Sequence, residues 1–344
     1  MHIRPGGGPW GVAVSDGDWS TALDAARLMV GLVALAVASM TDVRTRRVPN
    51  ALWYVTAAVG IGLLVADLVM VDGGGAWAVG LAFPVAAVFA VVVTGGELWP
   101  VMPDDDPDPD RELTHEEARV YVLDIAASIA MLAVSVAVMF LASRYLDDPA
   151  PMWRATGSVT VILLALALYY LRLLHGGGDA KALMTLAVLF PTAPLVGGAL
   201  PLIPLPPEAD LVFPFALVVL IDAALLVVLS PIVFLAMSAV RGPFHLPEAL
   251  IGHPVPVDSY DEGRMWLLHE VGEDGTLRRR LWPRRSKAAT EARARALEAM
   301  RARGDARVYV SPKLPFMVPM LGGLLVATIV GNIVMGAIWA LAAP

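Results

Sequence analysis

Eight apolar segments are the feature that most constrains how this chain can fold. A helix needs about 20 apolar residues to cross the roughly 30 Å hydrocarbon core of a bilayer. The chain is 57% hydrophobic and only 17% charged, against about 25% charged residues in a typical soluble domain. We therefore predict an all-α polytopic membrane protein with about eight transmembrane helices. The predicted spans cover residues 22–40, 51–71, 77–94, 121–142, 156–174, 180–200, 212–240 and 315–342.

Polar stretches separate these segments into predicted domains. Residues 1–21 form a polar N-terminal segment. A membrane domain with seven spans covers residues 22–241 and contains an acidic loop at 95–120, whose low apolar content predicts a solvated linker. A soluble insert follows at 242–313, and the last transmembrane helix occupies 314–344.

The insert has the pattern of a small α+β fold. Turn residues at Asp261–Gly263 and Glu273–Gly275 flank the apolar run Met265–Leu268, which predicts short antiparallel strands. Residues 287–303 are rich in Ala, Arg and Glu and predict a helix. Residues 307–311 then predict a return strand before the last span.

The distribution of basic residues predicts how the chain is oriented. Cytoplasmic loops of membrane proteins carry an excess of Lys and Arg. If the N-terminus starts outside and eight spans follow, 21 of the 25 Lys and Arg residues lie on the inner side, including all those of the insert. We therefore predict a multi-pass protein of the cell membrane, with the insert on the cytoplasmic side.

A first motif follows the first span and reads Asp42-Val43-Arg44-Thr45-Arg46-Arg47-Val48-Pro49-Asn50. Asp42 is a candidate catalytic residue at the membrane edge, and Arg44, Pro49 and Asn50 are candidates for substrate binding or site support. Each residue also has a structural interpretation. An aspartate at a span edge can be an interfacial cap, and the arginines can be anchors on the inner side.

A second motif lies between the fifth and sixth spans and reads Gly176-Gly177-Gly178-Asp179-Ala180-Lys181. The glycines permit positive φ and close backbone approach, so an extended substrate strand could lie against them. Asp179 falls near a helix N-terminus, which favours a negative charge. We predict Lys181 to be either a membrane anchor or a counter-charge for Asp179.

On the eight-span arrangement both motifs lie on the same face of the membrane. Two close carboxylates cannot both ionise cheaply, so they share one proton and their apparent pKa values split. The ionised carboxylate can then take a proton from water, while the protonated carboxyl polarises a peptide carbonyl. Asp42 and Asp179 are therefore predicted to be an aspartic protease dyad.

The sequence offers few groups that could bind a metal. The chain has no cysteine, which excludes disulfides, thiolate zinc sites and cysteine nucleophiles. His175 is interpreted as an interfacial polar residue, because no cluster of His, Cys and Glu surrounds it. We expect no metal, no cofactor and no nucleic-acid partner.

The two motifs together resemble those of the type IV prepilin peptidases, which are GxGD aspartic membrane proteases. The pattern is D-x-R-x3-V-P-N after a first span, followed by G-x-G-D-x-K at a later span. The segments Gly252–Val255, Tyr260-Asp261 and Val310–Phe316 are similar to the C-terminal part of archaeal preflagellin peptidases. The resemblance covers roughly 24–60, 172–191 and 242–335, about half of the chain.

This resemblance implies a function and matches residues to it. Asp42 matches the first catalytic aspartate of the family and Asp179 the aspartate of GxGD. The implied substrates are archaellin or pilin-like precursors, whose basic leader is cut at the cytoplasmic face of the bilayer. Bacterial relatives often carry a cysteine-rich zinc-binding segment and also methylate the new N-terminus. This chain has neither cysteine nor a nucleotide-binding glycine motif, so we expect peptidase activity only.

Two other classes of function remain open from the residues. A small-solute transporter would use broken helices and an intramembrane charge such as Asp222, which lies well inside the seventh segment. A non-catalytic scaffold would use the basic clusters Arg278–Arg280 and Arg284-Arg285 to bind anionic lipid.

Overall fold

The computed structural model describes a predominantly helical protein. The described residues are 18–72, 75–94, 115–174, 176–195, 201–203, 213–241, 244–272, 275–281, 287–313 and 315–342. Residues 1–17 of the predicted polar segment at 1–21, and residues 95–114 of the predicted acidic loop at 95–120, lie outside this part of the chain. The remaining residues of both segments, 18–21 and 115–120, were predicted to be polar segment and loop but begin helices.

Twelve helices occupy the described residues. In chain order they are α1 (Asp18–Thr45), α2 (Asn50–Met70), α3 (Ala76–Gly80), α4 (Ala82–Thr94), α5 (His115–Tyr145), α6 (Ala150–Tyr170), α7 (Gly177–Leu189), α8 (Phe215–Val228), α9 (Ser230–Arg241), α10 (Lys287–Ala302), α11 (Met317–Ile329) and α12 (Ile333–Ala342). In addition, single 3-10 turns occur at Glu248–Leu250 and Val257–Ser259.

Six stretches of the described residues are helical, long enough and apolar enough to cross a membrane. They correspond to the first five predicted segments and to the seventh. Two of them combine a pair of helices: α3 with α4, and α8 with α9. The prediction of a polytopic all-α membrane protein is confirmed.

The sixth and eighth predicted segments form shorter helices. Both α7 and α11 have 13 residues, which gives each a length of about 20 Å at 1.5 Å per residue. The chain beyond α7 pairs with the chain beyond α11, where the Leu202 and Ile203 amides donate to the carbonyls of Ile329 and Val330 at 3.0 and 2.8 Å. Gly331 has a φ of +96°, and a Cβ there would lie 2.7 Å from the Ile203 oxygen. Such pairing satisfies backbone groups that no longer belong to a helix.

The chain divides into two compact units, residues 1–223 with 316–344, and residues 224–315. In the first unit α7 is surrounded by other helices, and every residue from Ala182 to Leu189 is buried. A helix that is apolar on all sides is expected in such a central position. The α2 backbone approaches it closely, because a Cβ on Gly60 would lie 3.2 Å from Leu189 Cα.

Buried ion pairs join three helices of this unit. Arg27 of α1 donates from Nη2 to Asp67 Oδ2 of α2 at 3.0 Å, and Arg154 of α6 donates from Nη1 to the same oxygen at 3.2 Å. Arg154 also pairs with Asp72, and Arg27 with Asp24. Charges removed from water need such partners, so the network fixes the relative positions of α1, α2 and α6.

The second unit contains five short strands, β1 (His253–Pro256), β2 (Met265–Leu267), β3 (His269–Val271), β4 (Leu277–Arg279) and β5 (Arg307–Pro312). They form an antiparallel three-stranded sheet in the order β1-β5-β2 and an antiparallel β3-β4 pair. The core comprises Val255, Val257, Leu267, Ala296, Met300, Val308 and Val310.

The predicted elements of the insert are confirmed: short strands around Met265–Leu267, a helix at Lys287–Ala302 and a return strand at Arg307–Pro312. Gly252, which precedes β1, has a packing role. A Cβ at this position would lie 2.1 Å from the Val310 oxygen, closer than any side chain allows. The domain boundaries that the sequence suggests at 22, 242 and 314 stay predictions.

Candidate active site

Asp42 lies in the last turn of α1, where the helix is ended by a left-handed residue. Arg46 has a φ of 57°, and its amide donates to the Asp42 carbonyl at 3.0 Å. This is the αL motif that commonly ends helices, here with arginine in the position usually taken by glycine. The Asp42 side chain is half-buried.

A short loop then connects α1 to α2. Pro49 is extended, with φ −61° and ψ 134°, and α2 begins at Asn50. Proline fixes its own φ and lacks an N–H, so it suits the residue before a helix. The Arg44 side chain is exposed.

The chain reaches the second motif through a second left-handed arginine. Arg172 has a φ of 57°, and its amide donates to the Tyr169 carbonyl at 2.9 Å. The Leu173 amide donates to the Leu168 carbonyl, also at 2.9 Å. These two bonds form a Schellman motif that ends α6 and allows the chain to turn towards α7.

Asp179 is the third residue of α7, and its carboxylate folds back over the start of the helix. Gly176 is the N-cap, with an extended backbone of φ −109° and ψ 127°. The Asp179 carboxylate accepts a hydrogen bond from the Gly176 amide, which is the side-chain half of a capping box. A Cβ on Gly176 would lie 2.7 Å from Asp179 Oδ2, so glycine leaves room for the carboxylate.

The expected role of the glycines in positive-φ backbone was wrong. Gly177 and Gly178 are helical, and the described glycines with positive φ are Gly275, Gly304 and Gly331. A Cβ on Gly178 would meet the Met317 Cε at an ordinary 3.8 Å. Of the motif glycines, Gly176 has a steric reason to lack a side chain, because a Cβ there would meet the Asp179 carboxylate.

Asp42 and Asp179 are close enough to act on each other electrostatically. Asp179 lies outside the six candidate spans. Burial and, to a smaller extent, the Asp42 charge together raise the pKa of the Asp179 carboxyl to about 7, against the opposing effect of the Gly176 amide. A carboxyl with this pKa keeps a proton near neutral pH, as the protonated member of an aspartate pair must.

Lys181 contacts the first motif instead of the aspartates. Its Nζ donates to Asn50 Oδ1 at 2.9 Å. Asn50 is eight residues after Asp42, and Lys181 is two residues after Asp179. The structure therefore brings together four residues of the two motifs: both aspartates, Asn50 and Lys181.

Two further residues near the site were not among the predicted ones. Ser39, one turn before Asp42, donates from Oγ to the Met317 carbonyl at 2.9 Å, and both residues are buried. Met317 begins α11 and also lies nearest to Gly178. The segment Val310–Phe316, which carries part of the family resemblance, leads directly into Met317. Its position in the sequence was the feature that could have indicated that Met317 lies near the site.

The remaining candidate polar groups lie apart from this site or outside the described residues. His175 is outside them. Asp222 on α8 is 1% exposed, and neither of its carboxylate oxygens has a hydrogen-bond partner among the described residues. Within the described ranges, no group of three His, Cys, Asp or Glu side chains could hold a metal ion.

Comparison with known proteins gives a match in the C-terminal region. Residues 245–333 match the family model described as Archaeal Peptidase A24 C-terminus Type II. The match covers about a quarter of the chain, from the second unit to the start of α12. No curated protein matches the sequence. The match lies in the region where the sequence resembles archaeal preflagellin peptidases, and it supports the resemblance to the archaeal type IV prepilin and preflagellin peptidase family.

Proposed function

We propose that this protein is a membrane aspartic endopeptidase that removes class III, pilin-type signal peptides from preflagellin-like or prepilin-like precursors. The observation that carries the proposal is the proximity of Asp42 and Asp179, which come from separate motifs: the Asp42 charge contributes to the raised pKa of the Asp179 carboxyl. The A24 family match supports a peptidase in a membrane protein.

The proposed reaction needs only the two carboxyl groups and water. The Asp42 carboxylate takes a proton from water as the water oxygen attacks the scissile carbonyl carbon. The protonated Asp179 transfers its proton to the carbonyl oxygen, which gives a neutral tetrahedral diol. Asp42 then gives the proton that it took from water to the leaving amine as the C–N bond breaks, and Asp179 recovers a proton from one diol hydroxyl, so the products are a carboxylic acid and a free N-terminus.

The proposed location of cleavage is the cytoplasmic face of the cell membrane. Four candidate spans lie between Asp42 and Asp179, and if each crosses the membrane both aspartates lie on the same face, which supports this location. The arginine-rich first motif supports the inner side. We propose that the protein has peptidase activity without methyltransferase activity. Its proposed substrate has a short basic leader followed by an apolar helix, and the protein itself is in contact with the lipid bilayer.

The proposal is tested by incubating membranes that contain the protein with a tagged pilin-like precursor. Wild type should release a leader-sized fragment, and Asp42→Asn and Asp179→Asn should each lower the rate by at least about 10³-fold, because each carboxyl moves a proton in the reaction. Above a pH of about 7, the pKa of Asp179, the rate should fall as that carboxyl loses its proton.

Asp124→Asn is the matched control, because Asp124 is an exposed acidic residue within another candidate span. It should cleave at the wild-type rate. Uncut precursors, or asparagine variants that cleave like wild type, would refute the peptidase.

The second candidate function is solute or ion transport, which the buried and unpartnered Asp222 favours. An ionisable side chain inside a span commonly faces a polar pathway. The same preparation distinguishes the two functions. A transporter would lose solute flux in Asp222→Asn and keep it in Asp42→Asn. A peptidase would instead keep precursor cleavage in Asp222→Asn and lose it in Asp42→Asn.

A further inference from the structure

One side-chain hydrogen bond joins the two motifs beside the aspartates, between Lys181 Nζ and Asn50 Oδ1 at 2.9 Å. We propose that Lys181 and Asn50 are positioning residues that form a latch between α7 and α2. The latch holds the two helix N-termini together and so keeps the Asp42 and Asp179 carboxylates within reach of each other. The inference rests on the proposed function only for its kinetic test.

Short and stiff connections link each end of the latch to an aspartate. Lys181 is two residues from Asp179 in the same helix. Asn50 is separated from Asp42 by a loop that contains the left-handed Arg46 and the extended Pro49. Because both connections restrict the backbone, a movement of Asn50 relative to Lys181 changes the distance between the carboxylates.

The middle of α2 and the C-terminal end of α7 are held by a separate contact. The Gly60 and Leu189 backbones approach closely, with 3.2 Å between an added Gly60 Cβ and Leu189 Cα. The two helices therefore have a fixed point about ten residues from Asn50, and a rotation about it would separate their N-termini. The Lys181–Asn50 bond is positioned to oppose that rotation.

The geometry gives Lys181 a different role from a counter-charge for the dyad. Its hydrogen bond is directed to the neutral Asn50 amide. Among the described residues, the groups that act on the Asp179 carboxyl are Asp42 and the Gly176 amide. Removal of the Lys181 ammonium should therefore change the separation of the aspartates.

The absence of cysteine from the sequence permits a direct test of that separation. Asp42→Cys and Asp179→Cys are introduced together into the full chain in membranes, and the rate of cross-linking by a short bifunctional thiol reagent is measured. The measurement is repeated with Lys181→Met, Asn50→Leu or Asn50→Asp added. Arg144→Met is the control, because Arg144 is another exposed cation near a helix end.

We expect Lys181→Met and Asn50→Leu each to lower the cross-linking rate several-fold, and the two together to lower it no further than either alone. Asn50→Asp retains an acceptor for the ammonium and should cross-link like the parent, as should Arg144→Met. Parent-like rates in Lys181→Met, additive effects of the two changes, or no cross-linking in the parent would each overturn the latch. Comparison of Asn50→Asp with Asn50→Leu keeps the test valid if Lys181→Met folds poorly.

Kinetics in the chain with both aspartates present separate the latch from the proposed function. Lys181→Met should lower kcat about tenfold with KM changed less than twofold, the loss expected for one hydrogen bond that aligns catalytic groups. If wild type cleaves no precursor but cross-linking depends on Lys181, the peptidase fails and the latch stands. If wild type cleaves the precursor, and Lys181→Met matches its parent in both the kinetics and the cross-linking rate, the latch fails and the peptidase stands.

Discussion

Gly176 and Gly178 flank the same residue in the second motif, yet they meet different neighbours. A Cβ on Gly176 would lie 2.7 Å from Asp179 Oδ2, whereas a Cβ on Gly178 would lie 3.8 Å from the nearest atom, Met317 Cε. The first glycine thus leaves space for the carboxylate that accepts its amide hydrogen bond. At the residue scale, the packing of the Asp179 side chain therefore explains the glycine at position 176.

The two alanine substitutions should therefore differ in effect. Gly176→Ala pushes the Asp179 carboxylate from its position and should lower kcat at least about tenfold, since catalytic groups need close alignment. Gly178→Ala lies within α7, where alanine is favoured over glycine by about 1 kcal/mol, and should keep near wild-type kcat. The cleavage assay measures both, and equal rates in the two variants would contradict the role given to Gly176.

At the scale of elements, the site is made by helix ends. Asp42 is in the last turn of α1, Asn50 begins α2, Asp179 is in the first turn of α7 and Met317 begins α11. Far along α1 and α2 from these residues, the buried Arg27–Asp67 pair and Arg154 connect α1, α2 and α6. Helix α1, which carries Asp42, is thus held both near the site and away from it.

Loss of the central carboxylate of this network should be costly. Asp67→Leu leaves Arg27 buried without its closest partner, and removal of one member of a buried pair costs about 3–5 kcal/mol. Arg264→Met removes an exposed pair with Asp261 and should cost no more than about 1 kcal/mol.

Thermal unfolding of the purified protein in detergent compares these two variants. The midpoint should fall by many degrees in Asp67→Leu and by little in Arg264→Met. A similar midpoint in both would mean that the buried network contributes little to stability.

At the scale of the whole molecule, the side of the membrane on which each loop lies decides what the dyad can reach. Five candidate spans precede α7, so we expect the loop after α1 and the loop after α6 to lie on one face if each of these spans crosses the membrane. On the same arrangement we expect the loop between α5 and α6, which contains Asp148, to lie on the other face.

Single cysteines in this cysteine-free chain can test the arrangement. Arg47→Cys and Leu173→Cys should react with a membrane-impermeant maleimide only after the cells are opened, because both are exposed and follow odd-numbered spans. Asp148→Cys should react in intact cells. Labelling of Arg47→Cys and Leu173→Cys from opposite sides would exclude a shared active site.

The sequence by itself determined the membrane class, the secondary structure of the insert and the two motifs, because these depend on composition and local pattern. It did not determine how α7 ends. Hydropathy predicted a span at 180–200, but the helix stops at Leu189, since Pro191 cannot continue it and the chain beyond pairs with the α11 end.

Only the tertiary structure decided which groups meet. The sequence left Lys181 as an anchor or a counter-charge, and the fold paired it with Asn50, 131 residues away. It suggested positive φ for the glycines, and the fold placed two of them in a helix and Gly176 beneath the Asp179 carboxylate. Contacts between distant segments depend on how helices pack, and a local pattern contains no record of that packing.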